Sequence, residues 1–578
     1  MRRLSLPSLI LPFAFLLLTL TLLLAACALR RAEAPVSASP MPARPAPTFP
    51  SPTATPLPTP QPTRAAVALG PDEEDFPRTY NPLTGQPATD PSLLELPALL
   101  ISISNFPVAA RPQAGLSFAP MVFQFSITEG ADRFLAVFYG GFPYPEVPLS
   151  GPCEVRQGAF VQKETLLGNR VWLDVDRDGV QEPGEPGIGG VCVNLYDGSG
   201  NLLETTSTDS NGYFAFDVRA GEEYLLGFEK PPGLSFTVAH RGDEDGDSDA
   251  DPASGKTARI FLQADTRRWD AGLIADALPP SNTKIPEAEV GPVRSGRLLY
   301  AHIAAFFQDS CLIYAFASRE VLAEIPKCAF VTHQEAGGGA MLAIDRMKAI
   351  ARENWKLDTQ FNYASNLFDE TPPPGGSPAK EVQVYFALLN QSGWQYDAAS
   401  QTWLRYTDNA EKATAGQLHA DTDRLNGRQL QFENLVVMMA EHEVISPTNL
   451  NIHLDQGEQG PAWLFRDGRV YEIQWSTRST NYERTTGLRR PIRFINEDGS
   501  PAALRPGRTW VVIVTPFSEV TQREAGVWLV RYYAPAGTAG SAQWHAYMPI
   551  ICMSTPTARI SRSFTTAKAA KCPFWRLW

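Results

Sequence analysis

Histidine is scarce in this chain, with 7 in 578 residues, and Lys and Arg, at 50, are outnumbered by Asp and Glu, at 62. The resulting net charge of -12 excludes the basic face that a general nucleic-acid binder carries, so no nucleic-acid partner is expected. No GxxxxGK[ST], GxSxG or HExxH run occurs, so phosphate-loop, nucleophile-elbow and zincin chemistry lack their carriers. No CxxC pair occurs among the 7 cysteines, which leaves a zinc ribbon or thioredoxin-like redox centre without support. What is present is apolar bulk: 44% of residues are hydrophobic and 19% charged, a balance that builds real cores rather than a disordered chain.

The N-terminus reads as an export signal. Arg2 and Arg3 precede an apolar run over 9–24, which ends in Leu24-Ala25-Ala26-Cys27. This resembles the lipobox of bacterial lipoproteins, which implies a signal peptide over 1–26 and lipidation of Cys27. The expected location is the extracytoplasmic face of the cell membrane, with the membrane itself a partner through the lipid anchor. Residues 27–77 form a Pro-rich linker with too little apolar bulk for a core, extended at roughly 3 Å per residue. Setting Cys27 aside leaves six cysteines, an even number in an exported chain, where disulfides persist. Proximity in sequence pairs Cys153 with Cys192, Cys311 with Cys328 and Cys552 with Cys572.

Acidity is concentrated in one place. Residues 168–273 hold 20 Asp and Glu against 9 Lys and Arg, a net of -11 out of the whole chain's -12. Within them, Asp174, Asp176, Asp178, Gly179 and Glu185 fill a D-x-D-x-D-G-x5-E pattern. Ca2+ takes six to eight hard oxygens at about 2.3–2.6 Å, and carboxylates at alternate positions converge when a chain curls. Asp174, Asp176 and Asp178 supply such carboxylates, Gly179 the sharp turn, Val180 its carbonyl, Glu182 a ligand directly or through water, and Glu185 the closing pair of oxygens. Flanking helices are lacking: GNRVWL over 168–173 reads as a strand, and short alternating segments separated by Gly, Asn and Asp turns follow. The expectation is a small β-sandwich carrying a calcium loop.

The run GNRVWLDVDRDGVQEPGEPGIGGVCVNLYD, with TTSTDSNGYFAF and AGEEYLLGFEKPPG after it, resembles the B-type repeat of serine-aspartate-repeat surface adhesins. The resemblance implies a calcium-stabilised sandwich related to collagen-adhesin B domains, with calcium ligands at Asp174, Asp176, Asp178 and Glu185. It further implies a weaker acidic site at Asp243, Asp245, Asp247 and Asp249. Related domains carry a Lys–Asn isopeptide bond; Arg170 stands in the first strand and no Lys, so none is expected here. One copy in place of a tandem array fits a spacer or scaffold.

The segments on either side resemble each other's continuation. NPLTG at 81–85, the apolar run 98–105, MVFQF at 121–125 and the segment 129–139 stand before the acidic module. GPVRSGR at 291–297, an expected helix onward to 307, an expected strand over 311–316 and an expected amphipathic helix over 339–355 stand after it. With GGSPA at 375–379, WLRY at 403–406, NLVV at 434–437, LFRDGRV at 464–470 and LRPGRTW at 504–510, they resemble the YerB-like lipoprotein family, whose function is unknown. The expected organisation is a family N-terminal domain over 78–148 and 286–410, interrupted by an insert over 149–285. A family C-terminal domain follows over 430–517, then a tail over 540–578. The expected fold class is an α/β body, or α+β, with an all-β insert and a β-rich C-terminal domain.

Arg111, Arg133, Arg294 and Arg297 are the candidate ligand-binding residues of the body. A guanidinium is a planar fork for phosphate or carboxylate, and Arg294 is expected at a helix start among free N–H groups. Two readings stand open: an anion grip with Glu129 or Asp132 as acid or base, or structural ion pairs between these same residues. Ser377 and Lys380 fit an SxxK pattern in a Pro/Gly-rich loop, the wrong context for it. His333 with Glu335 reads as surface. In Glu441-His442-Glu443, strand alternation turns the histidine away from both acids. The functional expectation is a lipid-anchored envelope protein that binds or scaffolds, with a cell-wall or envelope polymer as partner and no catalytic residue assigned. The alternative is an envelope enzyme acting on phosphorylated or anionic polymers through the arginines.

Overall fold

The computed structural model describes residues 68–147, 149–276, 285–325, 329–330, 340–355, 361–447, 449–455 and 457–538. Cys27, His333, Glu335, Cys328, Cys552 and Cys572 lie outside them.

Near-continuous apolar runs dictate the body's centre. Leu99–Ser104, Met121–Ser126, Asp132–Phe138, Asn434–Met439 and Thr509–Val514 are strands buried along almost their whole length. That pattern belongs to a sheet covered on both faces. All five lie in one mixed 13-stranded sheet. Its centre is a parallel trio, with Thr509–Val514 between Met121–Ser126 and Asn434–Met439. Side chains alternate strictly between two cores. Leu99, Ile101, Ile103, Val122, Phe134, Ala136, Trp510 and Val512 enter one. Leu100, Phe123, Phe125, Leu135, Val137, Val511 and Ile513 enter the other.

The first core is closed by a second, seven-stranded sheet. Val382, Val384, Trp394, Trp403, Trp528 and Val530 point from it into the shared interior. The helix Ile344–Asn354 adds Ile344, Met347, Ile350 and Ala351, spaced as one helical face. The second core is covered by the helix Leu299–Phe306 through Leu299, Tyr300 and Ile303. Among the described residues no helix is long and apolar enough to cross a membrane.

The body is therefore β-rich, with few helices and several sheets, against an expected α/β or α+β body. Its runs are too short and too β-branched for the helices that a parallel α/β sheet requires. The expected helix from 291 begins instead as the strand Glu289–Val293, with helix only from Leu299. Val290 and Val293 pair with Ala340–Ala343, and Ser295-Gly296 cannot hold a helix start against that pairing. Arg294 consequently lies in a connection and not at a helix N-terminus. The expected helix over 339–355 likewise divides into that strand and Ile344–Asn354.

The acidic insert folds as two packed sheets of four and five strands. Trp172, Phe214, Phe216, Leu226 and Leu273 are buried within it. Cys153 and Cys192 are joined by a disulfide with Cα atoms 5.4 Å apart, as sequence proximity indicates. Cys311 is disulfide-bonded as well. The insert is seated on the body by polar and apolar contacts. Arg156 bridges Asp209 of the insert and Asp397 of the body at 3.2 and 3.5 Å. Arg428 donates to the Gly187 carbonyl at 3.0 Å, and Arg267 to the Ala398 carbonyl at 2.9 Å. Leu166 and Ala215 pack on Ala398 and Ala399.

Candidate metal centre and arginine cluster

The strand Thr165–Leu173 delivers the acidic loop. Its end is fixed by Asp174, whose N–H donates to the Leu273 carbonyl at 2.8 Å and whose side chain is buried. Oδ1 of Asp174 accepts from the Arg177 N–H at 2.6 Å. Oδ2 accepts from the Gly179 N–H at 3.0 Å and the Thr237 hydroxyl at 2.5 Å. The chain curls back because Gly179 sits at φ 86°, where a Cβ would lie 2.6 Å from the Val238 carbonyl oxygen. Glu185 closes the loop, with Oε1 accepting from the Val175 N–H at 2.7 Å and Oε2 from the Glu182 N–H at 3.2 Å.

This curl gathers two carboxylate triads that share Asp176. One is Asp174, Asp176 and Glu185; the other is Asp176, Asp178 and Glu182; in each, ligand oxygens lie within 4.8 Å of one another. Oxygens held about 2.4 Å from one ion are at most about 4.8 Å apart, so both triads fit the radius of a hard divalent ion such as calcium. Val180 pairs its backbone with Asp247, which carries the loop against a second acidic turn. Electrostatic crowding is felt locally. Burial, with Asp178, Glu185, Asp176 and Asp174 around it, pushes Glu182 up to about 7.

In the second turn, Asp247 and Asp249 meet His240, again with ligand atoms within 4.8 Å. His240 Nδ1 is 3.5 Å from Asp247 Oδ2, and Asp249 accepts from the Asp270 N–H at 2.7 Å. Burial pushes Asp249 up to about 8. Asp243 and Asp245 are exposed and join none of these groups. Sequence reading missed Thr237, His240 and Asp270: Thr237 is brought to Asp174 from 63 positions away, and His240 and Asp270 meet the second turn through folding that no local motif marks.

The four arginines do not converge as one set. Arg111 is neutralised: its Nη1 lies 3.2 Å from Asp408 Oδ1, its Nε donates to Asn105 Oδ1 at 2.8 Å, and it stacks over Phe106. Asp132 is committed elsewhere, accepting from Asn105 Nδ2 at 2.7 Å and Gln124 Nε2 at 2.5 Å. Glu129 sits at a turn with φ 55°. Arg133 and Arg297 lie beside Tyr300, and Arg294 reaches Ser104, the residue paired with Arg133 across neighbouring strands. His442 is buried while Glu441 and Glu443 are exposed, and Ser377 and Lys380 are exposed.

Family comparison matches three stretches of the chain. A model of the "Protein of unknown function (DUF3048)" N-terminal domain matches residues 83–150, and that of its C-terminal domain matches 382–511. The SdrD B-like domain model matches 165–273. The chain carries both domains of the DUF3048 family, with an SdrD B-like domain inserted between them. Over the insert it is 40% identical, across 108 residues, to serine-aspartate repeat-containing protein F of Staphylococcus epidermidis, covering 19% of this chain and 6% of that one. It is 41% identical over 97 residues to a fibrinogen-binding protein of Staphylococcus epidermidis, 17% of this chain and 9% of that one. The chain thus spans a tenth or less of these relatives' length. The crystal structure of YerB protein from Bacillus subtilis is similar at TM-score 0.39 and 17% identity, over 75% of this chain and 96% of that one.

Proposed function

We propose that this DUF3048 protein is a lipid-anchored component of the outer cell surface that works by binding or scaffolding, with a calcium-loaded insert as its brace. The observation that carries the reading is the pair of triads sharing Asp176. Carboxylates this close repel one another, and burial together with these neighbours raises Glu182 to about 7. A divalent ion among Asp174, Asp176, Asp178, Glu182, Glu185 and the Val180 carbonyl removes that repulsion and ties the two acidic turns into one body. An SdrD B-like domain, similar to segments of staphylococcal surface proteins, supports a location outside the cytoplasm. The lipobox at Cys27 supports the anchor, and an envelope polymer is the proposed partner of the body.

Calcium titration of the purified chain tests this. Millimolar calcium raises the insert's melting temperature by several degrees over an EDTA control, and the double variant Asp174→Ala with Asp176→Ala loses that response. No shift at millimolar calcium refutes the brace. Mass spectrometry of the membrane fraction finds a diacylglyceryl group on Cys27; a soluble form beginning elsewhere refutes the anchor.

A further inference from the structure

At one end of the large sheet, Arg133 lies beneath the helix Leu299–Phe306, on the same face of its strand as Leu135 and Val137. It is 5% exposed, and its Nε and Nη1 are buried with no hydrogen-bond partner. Arg294 and Arg297 approach from the connection that precedes the helix. Arg294 is held by its backbone N–H to the Ser102 carbonyl at 2.9 Å and by Nε to Ser104 Oγ at 3.3 Å. The Nε of Arg297 is buried and unpartnered too. Among the described residues no carboxylate forms an ion pair with any of the three.

Three guanidiniums gathered without a counter-ion are costly, because a buried charge needs a partner. The cost is visible at Arg133, which burial and the positive Arg297 and Arg294 together pull down to about 10, against the pull of Tyr300 and Asp132. Asp132 cannot settle the account, since both its oxygens are taken by Asn105 and Gln124. Hydroxyl groups ring the cluster: Tyr300 and Ser102 oxygens are 2.8 Å apart, and Ser104 touches Arg294.

We infer that Arg133, Arg294 and Arg297 form a binding site for a phosphate group. A carboxylate brings one charge and two oxygens to three forks. A phosphomonoester brings about −1.5 to −2 and three strong acceptor oxygens, which matches the three guanidiniums. The site is independent of the calcium reading: it lies in the body, and its residues touch no part of the insert's acidic loops.

Calorimetric titration of the whole chain with inorganic phosphate, glycerol 3-phosphate and acetate is the test. Phosphate or glycerol 3-phosphate is expected to bind at least tenfold more tightly than acetate, the tighter of the two telling a free from an esterified ligand. Arg297→Gln and Arg294→Gln, both at partly exposed positions, each weaken that binding at least tenfold. In the native protein, phosphate slows phenylglyoxal modification of Arg294 and Arg297, read by peptide mass spectrometry, which keeps the test valid if a variant misfolds. Failure of both phosphates to bind, acetate binding as tightly, or unchanged affinity in the two folded variants overturns the site. So does phosphate leaving the labelling rate unaltered.

Discussion

The phenol of Tyr144, in the body, donates to the backbone carbonyl of Gly184 at 2.5 Å, one residue before the carboxylate that closes the acidic loop. Thr89 does the same for the Pro183 carbonyl at 2.8 Å. Two host side chains thus pin the last turn of the guest's loop. Each bond contributes about 1 kcal/mol, or roughly fivefold in an equilibrium constant. Tyr144→Phe is expected to raise amide exchange across 182–185 and to weaken calcium binding by about that factor, measured by hydrogen exchange and calorimetry. Equal exchange and equal affinity would mean that the loop is set by the insert alone.

The Cys153–Cys192 bond closes a loop of 39 residues. Loop-closure entropy for that length gives about 4 kcal/mol. Cys153→Ala with Cys192→Ala therefore lowers the insert's denaturation midpoint, with the large sheet little changed. A midpoint that stays put would show that the seat of Arg156 against Asp397 already restrains the same segment.

His442 is buried against Tyr532 and donates from Nδ1 to the Ala440 carbonyl at 2.8 Å, while Nε2 has no partner. Burial pulls it down to about 4. A depressed histidine keeps the folded state proton-poor, so its contribution is full above the unfolded value near 6.5 and is lost as pH falls toward 4. Between pH 8 and 5 the loss is about 2 kcal/mol, and His442→Phe flattens that slope in urea titrations at the two pH values. A slope unaltered by the substitution assigns the acid sensitivity to other groups.

Arg405 is fully buried, ion-paired with Asp421, and lies 4.7 Å from the Trp510 ring and 5.2 Å from the Phe134 ring. Removing one partner of such a pair strands the other charge, at a cost of about 3–5 kcal/mol. Arg405→Met is expected to destabilise the body by that amount, and Arg405→Met with Asp421→Asn to recover much of it. A double variant no better than the single one locates the loss in the aromatic packing.

The insert was legible because its information is local. Gly179, the spaced carboxylates and the Gly/Asn/Asp turns each act within a few residues. The body was not, because its decisive pairings are remote. Nothing near Met121 says that residues 121–126 align with 509–514, and the all-apolar runs look alike to any partner. Arg111 and Arg133 read as equals in sequence, yet Asp408, far along the chain, pairs with one, and among the described residues no carboxylate forms an ion pair with the other. Arg294 was misread at a helix start because strand pairing by Val290 and Val293 overrides local preference.

The placement of Thr509–Val514 between Met121–Ser126 and Asn434–Met439 also sets an order of assembly. A polypeptide appearing N-terminus first cannot close the large sheet until residue 514 has emerged, whereas every strand of the guest is available by residue 275. The guest is then free to mature while its host is still waiting, and the host completes itself around an object already rigid.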